Sequence, residues 1–369
     1  MRSLLFTLVL LFVLSSNFAS SQNIDSIEYI LDSAYSKSPF HVNILITKNS
    51  KIIFEKSYGC ADAVLKKPLT KDNSFQVASI SKQFTAYGIM LLHQKGSLHY
   101  DSTVRKYIPS FPYNNITVRH LLNHTSGLPE FWDEIRPNLD TFKSNGNVEM
   151  LEYLIQHKLP LQSPPGSKYM YCDIGYDLLA NIIENISGMN YQKFMDKNIF
   201  KPLKMKSTFA YMVTDIRRIY NKNLAQGHKH ENNTFTYAHL HPKNNFVFYL
   251  GDFYGDGSVV TTARDLAKWD KALKQCAQLP STSQNEAFII PSYNGQLVYT
   301  GSKGELGYGF GWFIRSDPAQ GKIIYHTGFH PGNVHGIYRL IDKDMTFIFL
   351  SNAETSNIRT LRNRILRML

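Results

Sequence analysis

Two β-rich runs near the start of the chain, Val42–Thr47 and Lys51–Tyr58, are joined by Asn49-Ser50, a pair suited to a tight hairpin. The last third is β-rich again: Gly309–Ile314, Ile323–His326, Val334–Arg339 and Thr346–Leu350 are separated by turn residues. Between the two ends, from residue 76 to residue 299, the sequence reads as helices and loops. Such an order is best satisfied when both ends join in one antiparallel sheet. The expected fold is therefore α+β, with about five antiparallel strands flanked by helices and an inserted, mostly helical region. Ile27, Ile30, Leu31 and Ala34 give Ile24–Tyr35 an apolar helical stripe, and Ile358–Leu369 reads as a basic amphipathic helix.

Within the middle, one helix should open at Ser79, run to His93 and stop near Gly96. Short helices are expected at Asp101–Tyr107, capped by Asp101, and at Thr117–Asn123, capped by Thr117. Val148–His157 and Tyr176–Ile186 follow, the latter ending at Ser187-Gly188, and Ile174–Ile183 is apolar enough to be buried. A threonine of Thr261-Thr262 should cap a helix running through Leu273. Residues 217–250 are polar and aromatic without a clear period and read as a long irregular excursion. No internal repeat is found.

A chain of 369 residues can bury a full core as one large domain or two closely packed ones. Arg2, the apolar run Leu4–Leu14 and the small residues to Ala19-Ser20-Ser21 read as a secretory signal. On that reading residues 1–21 are removed, and residues 22–369 form an exported, soluble domain, periplasmic or secreted. Its sheet part comes from residues 22–75 and 300–369. The formal net charge of +11 favours anionic surroundings such as envelope surfaces. No zinc-knuckle, helix-turn-helix or Arg-aromatic pattern points to nucleic acid. Cys60, Cys172 and Cys276 fit one disulfide with one free thiol, or three separate thiols; their spacing suits neither zinc nor redox chemistry.

Ser79 and Lys82 stand three residues apart in Ser79-Ile80-Ser81-Lys82, so one helical turn brings them to the same face. A serine hydroxyl is a weak nucleophile until an adjacent base takes its proton, and this spacing supplies one. The free N–H groups of a helix start favour developing negative charge nearby. Alone, the spacing is common.

Further motifs give it weight. His124-Thr125-Ser126-Gly127, Tyr171-Cys172-Asp173, and His326-Thr327-Gly328 follow in that order, supported by Gly257–Lys268 (GSVVTTARDLAK) and Gly307–Phe313 (GYGFGWF). Together they resemble the β-lactamase-like serine hydrolase superfamily, in the branch of class C β-lactamases, DD-peptidases, D-aminopeptidases and esterases. The resemblance extends over residues 24–369. It implies cleavage of an ester or amide through an acyl-enzyme on Ser79, with Lys82 and Tyr171 in proton transfer. It further implies an oxyanion hole from the backbone N–H groups of Ser79 and Phe329, and substrate contacts from Asp173, His326, Thr327 and Gly328. No metal and no organic cofactor are implied; the partner is a small-molecule or peptide substrate.

Two positions depart from the β-lactamase pattern. Asp173 stands where an asparagine is usual, and an ionised carboxylate only accepts hydrogen bonds. It favours a charged Lys82, or simply clamps it. His326 replaces the lysine of Lys-Thr-Gly and carries no fixed charge near neutral pH, which weakens carboxylate recognition. The expected function is thus an ester- or amide-cleaving serine hydrolase. Alternatives are a D-Ala-type peptidase or β-lactamase on cell-wall-like substrates, and a non-catalytic binding or sensor homologue. His124 reads as structural. His228, His230, His239 and His241 lack the spacing of a metal site, and Arg359, Arg362, Arg364 and Arg367 read as the solvated face of the last helix. Asn115, Asn123, Asn185 and Asn232 begin glycosylation sequons.

Overall fold

The computed structural model describes residues 24–212, 223–300 and 306–369. The secretory-signal reading lies outside the described residues, as do residues 217–222 of the expected excursion. Helix α1 (residues 24–37) leads into strands β1 (Val42–Lys48) and β2 (Lys51–Tyr58). Five strands come from the far end: β3 (Leu306–Tyr308), β4 (Phe313–Asp317), β5 (Gly321–His330), β6 (Asn333–Leu340) and β7 (Met345–Ser351). All seven join in one antiparallel sheet, ordered β3-β4-β5-β6-β7-β1-β2. The two ends of the chain therefore build one sheet, wider than the expected count of about five.

Turn chemistry explains the agreement and one shift. Asn49 and Ser50 take φ of 50° and 58°, the left-handed pair that closes a two-residue hairpin. The strand expected from Gly309 begins only at Phe313. Gly309–Trp312 is instead the turn between β3 and β4: Gly309 N–H donates to the Trp312 carbonyl at 2.8 Å, and Gly311 takes φ of 77°.

The central strands are apolar on both faces, as a covered sheet requires. Ile44, Ile46, Phe347 and Phe349 pack with Ile27 and Leu31 of α1, and with Ile358, Leu361 and Ile365 of α5 (Ile358–Met368). Their neighbours Leu45, Ile348 and Leu350 point the other way, into a core shared with the helical part. That part is built on α2 (Lys82–Gln94), α3 (Asp173–Ser187) and α4 (Ala263–Lys274). A buried ion pair ties α4 to the sheet, Arg339 Nε lying 2.8 Å from Asp270 Oδ1.

Several local expectations are corrected. Asp101 caps nothing: its carboxylate binds the guanidinium of Arg119 at 2.6 Å, and only Val104–Lys106 is helical, as a single 3₁₀ turn. Thr117 does cap its helix, accepting from His120 N–H. Within the supposed irregular excursion, His228–Glu231 and Thr234–Tyr237 form a hairpin turned by Asn232 and Asn233, both at positive φ. The three cysteines are free thiols. Asn123 is buried and donates to the Tyr308 carbonyl, so its sequon is inaccessible in the folded chain.

Candidate active site

Ser79 is placed by a small three-stranded sheet. Phe75-Gln76 pairs with Thr261-Val260, and Val77 N–H donates to the Val259 carbonyl at 2.9 Å. The next residue, Ala78, holds φ of 48°, a left-handed conformation that costs a non-glycine residue about 1–2 kcal/mol. It turns the chain abruptly into the 3₁₀ segment Ala78–Ser81, after which α2 begins at Lys82. The expected helix start is thus tighter than an α-helix. In a 3₁₀ turn side chains three apart eclipse one another, and Lys82 Nζ reaches Ser79 Oγ at 3.2 Å.

Lys82 is wholly buried, yet its ammonium is well supplied with acceptors. Asp173 Oδ1 lies at 2.7 Å, the Asp256 carbonyl at 3.1 Å, and the Asp256 carboxylate at 3.9 Å. Burial alone would pull Lys82 down; the charges of Asp173, Tyr171 and Asp256 outweigh it and hold the amine well above its ordinary range. Lys82 is therefore an ammonium paired with a carboxylate.

Tyr171 lies beside them, its ring centroid 5.0 Å from Lys82 Nζ. Burial pushes its phenol up to about 12, against the opposing pull of Lys82 and of hydrogen bonds with Ser79 and Lys82. The segment before α3 is pinned by the His124 loop. The His124 carbonyl accepts from Met170 N–H at 2.8 Å, and its Nδ1 accepts from Cys172 N–H at 3.1 Å. Its ring packs on Tyr171 with centroids 4.3 Å apart. His124 holds Tyr171 in place, in keeping with its structural reading.

The third wall is β5. Past Tyr325 this strand has no pairing with β4, and at Gly328 it runs against Val77-Ala78. A Cβ on Gly328 would lie 2.1 Å from the Val77 carbonyl oxygen, so only glycine permits this approach. His326 sits deeper than its suggested substrate role requires. It is 1 % exposed, its Nδ1 bonds the Thr327 carbonyl at 2.7 Å, and Tyr308 OH meets its Nε2 at 2.9 Å. Burial holds its imidazole down to about 3, so it is neutral.

Ser79, Asp173 and Phe329 border a cavity of about 540 Å³, whereas Lys82, Tyr171, His326, Thr327 and Gly328 do not line it. Sequence reasoning missed two further carboxyls that border it. Asp177 follows Asp173 by one helical turn, and Asp256 lies in Gly255-Asp256-Gly257. The two are hydrogen-bonded to each other, and burial raises both, Asp177 far above the ordinary carboxylate range. The i,i+4 spacing from Asp173 was the one signal for Asp177; nothing local marked Asp256. The four histidines of the 228–241 stretch are dispersed: His228 is bonded by Ala63 N–H at 3.0 Å and His241 by Lys229 at 3.1 Å. Among the described residues no group of side chains is disposed to hold a metal ion.

The Beta-lactamase family model matches residues 41–368. Penicillin-binding protein 4* of Bacillus subtilis (strain 168) is 36% identical over 329 residues, covering 86% of this chain and 69% of that protein. Across the curated relatives it matches, the chain spans from 59% to 69% of their length. Two solved structures share the fold. The D-amino acid amidase of Ochrobactrum anthropi SV3 has a TM-score of 0.73 at 23% identity, over 94% of this chain and 98% of that one. EstCE1, described as a hydrolase with promiscuous acyltransferase activity, has a TM-score of 0.76 at 18% identity, over 94% and 99%. With the family model spanning nearly all of the described fold, the chain belongs to the beta-lactamase family, the β-lactamase-like serine hydrolases.

Proposed function

We propose that the chain is an exported serine hydrolase that cleaves an ester or amide through an acyl-enzyme on Ser79. The observation that carries this reading is the 3.2 Å contact between Lys82 Nζ and Ser79 Oγ at the edge of an open cavity. Because Lys82 is already protonated, it works as a relay. As Ser79 Oγ adds to the substrate carbonyl carbon, its proton passes to Lys82 Nζ while Lys82 gives one to Asp173 Oδ1, 2.7 Å away. The tetrahedral oxyanion faces the backbone N–H groups of Ser79 and Phe329, donors whose loss from such sites costs about two to three orders of magnitude in rate. Tyr171 then protonates the leaving group as the C–O or C–N bond breaks and regains its proton from Lys82, which takes back the proton held on Asp173. Water repeats the sequence to release the acid and restore Ser79.

The uncharged, enclosed His326 favours this reading over a peptidase or β-lactamase that grips a substrate carboxylate. Reaction with a fluorophosphonate probe followed by mass mapping tests it. The expected result is a single adduct on Ser79, absent from Ser79→Ala; a folded protein whose Ser79 stays unlabelled overturns the reading.

A further inference from the structure

An ammonium has three N–H groups, and Lys82 directs each at a different acceptor. Ser79 Oγ lies at 3.2 Å, Asp173 Oδ1 at 2.7 Å and the Asp256 carbonyl at 3.1 Å. The first two carry the proposed proton relay. The third passes no proton, but it completes a tripod that keeps Nζ from turning away from Ser79. A main-chain carbonyl aims only as well as its loop is held. The Gly255–Val259 loop is held by two hydroxyls one helical turn apart, on Ser81 just before α2 and on Thr85 within it.

At one end of the loop, Val259 N–H donates to Ser81 Oγ at 2.9 Å. At the other, the Gly255 carbonyl lies 2.5 Å from Thr85 Oγ1. The proton order at Thr85 follows from valence. A carbonyl only accepts, so the single Thr85 hydroxyl proton goes to Gly255, and Tyr191 OH, 2.7 Å away, donates to Thr85 Oγ1. The Ser81 carbonyl, 3.5 Å from the same oxygen, is too distant to compete. Ser81, Thr85 and Tyr191 are wholly buried, so bulk water offers none of them another partner. Gly255 itself holds φ of 112°, and a Cβ there would lie 2.3 Å from the Tyr176 carbonyl oxygen, so the loop touches the α3 backbone directly.

We propose that Thr85 is a positioning residue for the serine chemistry: through the Gly255 carbonyl it fixes the Asp256 carbonyl against Lys82, and thereby Lys82 Nζ against Ser79 Oγ. The two carbonyls belong to consecutive peptide units, so a shift of one moves the other. Without the Thr85 hydroxyl, the loop is free to bring the Asp256 carboxylate, 3.9 Å from Nζ, into the place of its carbonyl. A carboxylate binds an ammonium more strongly than a carbonyl does and draws Nζ away from Ser79. This role rests on the acyl-enzyme reading and adds to it a residue that touches neither substrate nor Ser79.

The rate of Ser79 phosphonylation by a fluorophosphonate tests it, because Ser79 Oγ then displaces fluoride from phosphorus and gives its proton to the relay. Thr85→Val keeps the side-chain shape without the hydroxyl, whereas Thr85→Ser keeps the hydroxyl without the methyl group. At saturating probe, Thr85→Val should label about 10- to 100-fold more slowly, with the half-saturating concentration within about twofold of wild type. Thr85→Ser should stay within about threefold of the wild-type rate. A residue that only supports the fold would change the fraction of protein that labels, not the rate at which folded molecules do so. A wild-type rate in Thr85→Val, or equal losses in both variants, overturns the proposal. Ser81→Ala frees the Val259 end with the loss of one hydrogen bond and keeps the test open if Thr85→Val does not fold. Its limiting rate should fall about 3- to 10-fold, and an unchanged rate overturns the role of the loop. A wild-type Ser79 that stays unlabelled would instead overturn the acyl-enzyme reading, and this role with it.

Discussion

Asp173 Oδ1 and Lys82 Nζ meet at 2.7 Å, and the same ammonium touches Ser79 Oγ at 3.2 Å. If the carboxylate is the final acceptor of the serine proton, Asp173→Asn leaves Lys82 to act only when it is itself neutral. The acid limb of the rate–pH profile with p-nitrophenyl butyrate should then move to higher pH. The rate at pH 7 should fall about 10- to 100-fold. A limb that moves to lower pH would show that Asp173 only clamps the lysine.

Lys82 is also the counter-ion of a buried acidic group, so its removal should cost more than activity. Lys82→Ala leaves Asp173 and Asp256 without their cation and should destabilise the fold by about 3–5 kcal/mol. Ser79→Ala removes only a hydroxyl and should keep the wild-type urea midpoint while abolishing turnover. Equal midpoints for the two variants would contradict this account.

Gly328 offers a purely geometric test. An added Cβ meets the Val77 carbonyl at 2.1 Å and Ala78 Cβ at 3.5 Å, so Gly328→Ala must part β5 from the Ser79 turn. The expected outcome is a kcat lowered about 10²- to 10³-fold, with a stability loss of about 1–3 kcal/mol. Wild-type kcat in that variant would remove β5 from the oxyanion site.

Several imidazoles make the fold acid-sensitive. Burial holds His326 and His335 down to about 3 and His41 to about 4. Unfolded, each takes a proton near pH 6.5, so between these limits the unfolded state binds more protons and stability falls as pH drops. Each such histidine adds a slope of about 1.4 kcal/mol per pH unit below about 6.5. Urea midpoints measured from pH 7 to pH 4.5 should fall steadily, and less steeply in His335→Gln. A flat midpoint down to pH 5 would refute the prediction.

What the sequence revealed and what it hid divide along physical lines. The hairpin at Asn49-Ser50, the caps at Thr117 and Thr262 and the stop at Gly188 were legible because each depends on neighbours a few residues away. Aromatic residues misled at Gly309–Trp312, where β propensity yielded to the turn conformation of Gly311. Asp101 was taken by Arg119, and His326 by Tyr308, partners that only tertiary structure supplies. Ser79, Lys82 and Tyr171 were singled out by motif spacing, and the fold brings the three side chains together. The i,i+4 spacing from Asp173 hinted at Asp177, but Asp256, 79 positions further on, joins it only through the fold.

The order of the strands also dictates when the protein can exist at all. Strand β1 lies between β2 and β7, with Val42 opposite both Tyr58 and Ser351. The hairpin made first thus has one edge that only the last strand can cover, some 300 residues later in synthesis. Closing so long a loop is entropically slow. The emerging chain therefore remains without its central sheet, and without a fixed wall for Ser79, until its final fifth has been made. Any truncation before Ser351 should yield not a smaller enzyme but an unclosed, aggregation-prone edge.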